Sequence, residues 1–298
     1  MLLFKNLTKA FSIILALSFF SAQAAPLKIS ILQNIEHPAL DATREGLLEE
    51  LPKLGYTDLV VDYQSAQGNA ALAAQIAQKF ASNSPDVIIA VGTKAAQAAM
   101  AATKESKIPI VFASVTDPLA AKLVTSLEAP TENVTGVSNF VAPEPQFKFF
   151  KKCLPRLKKL GIVYDPGEPN SIALNTMMDK AAKELGLELV YAIATKTSDV
   201  FAASQSLCGK VDALFVNNDN TALSAFKSVV KAAQSCGIPA FVSDVDIVDQ
   251  GALAALGPDQ KDLGRQAARI VDKILKNPKA PFPAVQFPEK TEEVVQTP

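Results

Sequence analysis

The chain contains no tryptophan and a single histidine, His37, among its 298 residues. One imidazole excludes a multi-histidine metal centre and leaves histidine-based catalysis resting on His37 alone. No serine stands in a G-x-S-x-G elbow, so a hydrolase nucleophile has no visible setting. No G-x-G-x-x-G follows an apolar run and no G-x-x-x-x-G-K-[ST] occurs, so dinucleotide and nucleoside-triphosphate binding lack a motif. An excess of one charge is missing too: 29 Lys and Arg balance 30 Asp and Glu, for a net charge of -1. That balance provides no field to gather nucleic acid or an acidic membrane surface. Cysteine is scarce, and the spacing of Cys153, Cys208 and Cys236 fits no zinc motif. Cys208 and Cys236 each precede an apolar, strand-like run, which puts both at the same end of one sheet. In an oxidising compartment a bridge between them is open, and so is its absence.

Only one long apolar run occurs, "AFSIILALSFF", near the start of the chain. Lys5 and Lys9 precede it, and "SAQAAP" follows with Ala22 and Ala24 in a small-x-small arrangement. The run is shorter than the about 20 apolar residues a membrane span needs. It reads as an export signal over residues 1–24, cleaved after Ala24. No cysteine follows the cut to carry a lipid. The expected product is a soluble protein in the periplasm of a two-membrane bacterium.

What is present is an alternation. Apolar residues make up 49% of the chain and charged residues 20%, enough to bury two cores. "LKISILQ", "LVVDYQ", "DVIIAVG" and "IPIVFASV" alternate with stretches whose apolar residues recur at helical spacing. That is the pattern of a parallel sheet covered on both faces. From "LGIVYD" the plan repeats: "LELVYAIA", "DALFVNND" and "IPAFVSD" again alternate with helical stretches, one of them "TALSAFKSVVKAAQSCG". Between the halves, "GVSNFVAPEPQF" reads as a crossover strand leading into a helix near Gln146. "GALAALGPDQKDLGRQAARIVDKILKN" reads as a strand and a helix with Leu263, Ala267, Ile270 and Leu275 on one stripe. The proline-rich tail reads as extended. The fold class is therefore α/β, with two similar Rossmann-like parallel-sheet lobes in tandem.

In such sheets ligands bind beyond the carboxyl ends of the strands, where helix N-termini converge. The strand exits here are unusually polar. The first lobe offers Glu36 and His37, then Gly92 and Thr93, then Ser114, Thr116 and Asp117. The second offers Glu168, Asn170 and Ser171, then Asn217 to Thr221, then Asp244. Any single one of these is more often a helix cap than a ligand contact; Asp117-Pro118 has the form of an N-cap followed by proline at the first helical position. Six polar exits exceed what capping needs.

At these residues the chain resembles a known family. "DALFVNNDNTALSAF" and "PDQKDLGRQAARIVDKILK" resemble, distantly, the sugar-binding and lactose-repressor-like branch of two-lobed binding proteins. "EHPALDATREG", "PDVIIAVGTKAAQA", "VTDPLAAKLV", "NVTGVSN", "VYDPGEPNS" and "GALAALGPDQKDLGRQAA" resemble more closely the aromatic amino-acid (tryptophan-type) binding components of ABC importers. The resemblance implies the type I periplasmic binding protein fold, with two lobes, three crossovers and a central ligand cleft. It implies a first lobe of 26–139 plus 255–280 and a second of 140–254 plus 281–298. It implies a monomer that captures a small solute, expected to be an amino acid, by lobe closure and delivers it to a permease with its ATPase. No cofactor, metal, nucleic acid or enzymatic step is implied. The implied ligand contacts are Glu36, His37, Thr93, Asp117, Glu168, Asn170, Ser171, Asn218, Asp219 and Asp244, to which the reading of the strand exits adds Gly92, Ser114, Thr116 and Asn220. Asp219, Asp244 or Asp117 would meet an ammonium group, and Gly92, Thr93 and Ser171 a carboxylate. Ala39 and Leu40 stand where sugar binders carry stacked aromatics, which points away from a sugar. Another solute, a sensor role and a periplasmic hydrolase remain the rival readings.

Overall fold

The protein is described here by a computed structural model covering residues 26–130 and 133–296. The expected export signal, 1–24, lies outside the described residues. The first half supplies β1 (Leu27–Gln33), α1 (Pro38–Glu50), β2 (Leu59–Ser65), α2 (Ala70–Asn83), β3 (Val87–Val91), α3 (Thr93–Ala102), β4 (Ile110–Ala113) and β5 (Val134–Val137). Its strands form one parallel sheet in the order β2-β1-β3-β4-β5. β3 and β4 are apolar throughout and buried throughout, as strands covered by helices on both faces must be. β2 is an edge strand, and its outer residues Val60 and Val61 remain exposed.

The second half supplies α4 (Pro143–Cys153), β6 (Lys159–Tyr164), α5 (Pro169–Glu184), β7 (Glu188–Ile193), α6 (Val200–Gln205), β8 (Ala213–Val216), α7 (Asn220–Ser224), α8 (Phe226–Ser235), β9 (Ala240–Val242), β10 (Ala254–Pro258), α9 (Gln260–Lys276) and β11 (Thr291–Val295). The second sheet runs β11-β10-β9-β8-β6-β7, parallel except for β11 against β10. From β7 to β10 it repeats the winding of the first sheet, so the repetition in sequence is also one of topology. One face of it carries an aromatic cluster: Phe150 stacks on Phe241 at 4.3 Å between centroids and meets Phe215 edge-on.

Several local expectations shift. The helix after the crossover begins at Pro143, not near Gln146, because proline needs no N–H partner in the first turn. Asp117 does cap N–H groups, those of Leu119 and Ala120, but a turn follows and no helix. The chain reverses at Lys122, whose φ is 57°. The stretch expected as one helix after β8 is two, broken at Ala225. Ile274, and not Leu275, is the residue of the final stripe that is fully buried. Cys208 and Cys236 are bridged, with Cα atoms 5.3 Å apart.

α9 leaves the second sheet and packs on α1 of the first. Two glycines permit this crossing. A Cβ on Gly264 would lie 2.0 Å from the Thr43 carbonyl oxygen, and one on Gly46 would lie 2.0 Å from that of Lys261. All five residues of β10 pair in the second sheet, so the chain changes lobe after Pro258 rather than at 255. The tail returns beside β5, where Gln286 N–H donates to Gly136 O, before β11 joins the second sheet. Three strands therefore pass between the lobes, and they are bonded to one another. Ser138 N–H donates to Gln286 O, and Asp259 N–H donates to Lys290 O.

Candidate functional site

The exits of the two sheets face each other across one cavity. His37, Thr93, Ser114 and Thr116 line it from the first lobe; Asn170, Asn218, Asn220 and Asp244 line it from the second. Ala39, Leu40, Asn139, Leu223 and Gln260 complete the wall. The empty volume is about 320 Å³, but the clear space within it is scarcely that of one water molecule. The lobes are thus closed. His37 Nε2 lies 3.2 Å from Asn220 Oδ1, and Asn218 Nδ2 donates to the Asn139 carbonyl at 3.3 Å.

The remaining expected residues fall into two groups. Glu168, Ser171 and Asp219 stand behind the wall and organise it. Glu168 Oε2 accepts from the Asn220 N–H and Nδ2 and from Asn170 Nδ2, while Oε1 accepts from the Thr221 N–H and hydroxyl. Asp219 Oδ2 accepts from the Asp165 N–H at 2.7 Å and the Ser171 hydroxyl at 2.6 Å. Its Oδ1 caps α7 through the Ala222 N–H. Burial, then the neighbouring Glu168 charge, push the Asp219 carboxyl up, against the pull of these donors. Glu36, Gly92 and Asp117 are outside the lining. Glu36 is exposed and accepts from the Tyr63 hydroxyl, and Asp117 is committed to its turn. Gly92 holds the turn before α3 at φ 95°, a conformation an L side chain resists.

The hydrogen bonds fix which atoms lack partners. Asn220 gives its amide N–H to Glu168, so its oxygen faces His37. His37 must then donate from Nε2, leaving Nδ1 as a bare acceptor. Burial lowers the His37 pKa more than Asn220, Glu168 and Asp41 raise it, which keeps the ring neutral. Asn170 spends Nδ2 on Glu168 and on the Asn218 carbonyl, leaving Oδ1 bare. Asp244 caps Asp246 N–H with Oδ1 at 3.1 Å, leaving Oδ2 bare. His37 Nδ1, Asn170 Oδ1 and Asp244 Oδ2 are buried without partners among the described residues. All three are acceptors. Burial, then Asp246, push the Asp244 carboxyl up to about 7.

The opposite chemistry is nearby. Thr93 opens α3, so its part of the wall is a helix N-terminus with unpaired N–H groups. Among the described residues its hydroxyl makes no hydrogen bond. Ser114 occupies the left-handed region at φ 55° and pairs with the Thr43 hydroxyl at 2.9 Å. Backbone strain of this kind, worth about 1–3 kcal/mol, collects at sites that bind. Asn139 and Gln260 are missing from the residues expected from sequence. Each follows a strand, β5 or β10, so the strand-exit rule applied to the crossovers would have found them.

The profile of the ABC transporter substrate binding protein family matches residues 28–289. The chain belongs to that family. A tyrosine-binding protein of Clostridioides difficile is 38% identical to this substrate-binding protein over 251 residues, 83% of this chain and 72% of that one. A Streptococcus pneumoniae ABC domain solved in complex with L-Trp is 30% identical with a TM-score of 0.87, covering 91% of this chain and 92% of that one. The ligand-free, open structure of a Clostridium difficile substrate binding protein with adhesive properties is 36% identical over the same shares, with a TM-score of 0.68. The two-lobed type I architecture of this substrate-binding protein is that of its solved relatives.

Among the described residues, no helix is long and apolar enough to cross a membrane, and no group of three or more His, Cys, Asp or Glu could hold a metal.

Proposed function

We propose that the protein captures a free amino acid, aromatic in preference, in the periplasm and delivers it to an ABC permease. One observation carries the reading: three bare acceptors, Asp244 Oδ2, Asn170 Oδ1 and His37 Nδ1, belong to residues lining one closed cavity. A ligand that satisfies all three must present several N–H donors, as an α-ammonium group does. The N-terminus of α3 and the Thr93 hydroxyl suit the α-carboxylate. Ala39, Leu40 and Leu223 provide apolar contact for a side chain. The relatives agree, one named for tyrosine and one solved with L-Trp.

The clear space is too small for such a ligand in the present state, so capture requires the lobes to open first. Likeness to the L-Trp complex exceeds likeness to the open structure although sequence identity runs the other way. The present arrangement corresponds to the end of closure, which a ligand favours by its differential affinity for the closed form. The protein performs no covalent chemistry in this reading, since His37 has no nucleophile beside it. Calorimetry against L-Tyr, L-Trp, the remaining amino acids and a set of sugars tests it. Binding confined to amino acids supports the proposal. Tight binding of a sugar with no response to any amino acid refutes it.

A further inference from the structure

One ion pair crosses between the lobes away from the cavity wall. Lys94, second residue of α3, reaches from the first lobe to Asp165 at the exit of β6 in the second, with Nζ 3.6 Å from Oδ2. Neither side chain lines the cavity. Both are largely removed from water, at 19% and 9% exposure, which weakens solvent screening.

The two partners are held very differently. Asp165 is fixed inside its own lobe. Its Oδ1 accepts from Gly167 N–H at 2.8 Å, its Oδ2 from the Thr221 hydroxyl at 3.3 Å, and its own N–H donates to Asp219. Glu168 accepts from the same Thr221 hydroxyl, so three carboxylates converge on the start of α7. Among the described residues Lys94 pairs with Asp165 alone, and it comes from the other lobe. Separation of the lobes must break this contact, because α3 and β6 belong to different bodies. It leaves Asp165 without the cation that the closed form brings to it.

We propose that Lys94 and Asp165 form a charge latch that sets how long the closed lobes stay shut, without touching the ligand. Lys94 is then a positioning residue. It follows Thr93, which lines the cavity, so the latch closes directly on the element assigned above to the ligand carboxylate. The latch rests on the closure reading, but it does not depend on the ligand being an amino acid.

The test uses the mature chain and L-Trp. The protein has no tryptophan, so ligand emission can be followed by stopped flow without background. Lys94→Met should speed dissociation about tenfold while association changes by less than about twofold, since close-range contacts act mainly on the off-rate. Lys94→Arg should stay within about threefold of the parent, because it restores the charge. In an Asp165→Asn background Lys94→Met should add nothing. Dissociation of Lys94→Met within about twofold of the parent overturns the latch, as does equal damage by Lys94→Arg. If the parent binds no amino acid, the ligand class fails, and the latch is decided in ligand-free protein by X-ray scattering. A larger radius of gyration for Lys94→Met than for the parent supports it; equal radii overturn it.

Discussion

Asp244→Asn isolates the chemistry of the candidate site. Asparagine has the size of aspartate and keeps an oxygen to cap the Asp246 N–H, so the turn after β9 should survive. The change falls on Oδ2, the bare oxygen, which becomes an amide N–H. A hydrogen bond to a charged group contributes about 1.5–3 kcal/mol. Leaving the ammonium without its counter-charge in a buried site raises the total to about 3–5 kcal/mol. Affinity for L-Trp and L-Tyr should therefore fall by roughly two to three and a half orders of magnitude. Fluorescence titration with L-Trp and calorimetry with L-Tyr at about pH 8, where a carboxyl of pKa about 7 is ionised, measure the loss. Indole-3-propionate, which lacks the ammonium group, provides the control: it should bind the parent poorly and gain relative to L-Trp in the variant. An Asp244→Asn protein that retains affinity within about fivefold, less than even one charged hydrogen bond should cost, or a parent that does not distinguish the two ligands, would refute the assignment.

Other expectations concern pH, the disulfide and the lobe packing. Asp244 must be ionised to meet an ammonium group, so affinity should weaken as pH falls below about 7, and calorimetry across buffers should register proton release on binding. The sign for stability is opposite. Between 3.8 and about 7 the folded ligand-free form keeps a proton that the unfolded chain has lost, so Asp244 makes stability fall as pH rises through that window, as urea titrations can show. The Cys208–Cys236 bridge spans a separation of 28 residues, and the Cys208→Ser/Cys236→Ser pair should lose about 3–4 kcal/mol in denaturant titration with ligand affinity intact. Gly264→Ala places a methyl against the Thr43 carbonyl and should cost about 3 kcal/mol or spread α9 from α1, detectable by thermal unfolding.

Much of the architecture was legible because both sheets are wound alike and buried on both faces. Strands such as VIIAV and ALFV can be read from apolar content alone. The polar exits could be found by the strand-end rule, and eight of the residues expected there do line the cavity. Their division of labour could not be read. Asp219 and Asp244 look equivalent in sequence, each following a buried strand, yet one has both oxygens committed and the other has one bare. Which oxygen is left over depends on donors far away in the chain, such as Ser171, at a separation of 48 residues. Helix starts are ambiguous for a local reason. A proline can close an extended segment or open a helix: Pro143 opens α4, whereas Asp117-Pro118 leads only into a turn.

The three strands between the lobes have a mechanical consequence. Because Ser138 is tied to Gln286 and Asp259 to Lys290, they behave as a ribbon and not as separate tethers. A ribbon bends readily across its width but resists shear and torsion. Opening is thereby restricted to a swing along a single arc, whatever solute prompts it. A partner that touched the outside of both lobes would sense only the angle reached on that arc, while the chemical identity of the cargo would be read inside.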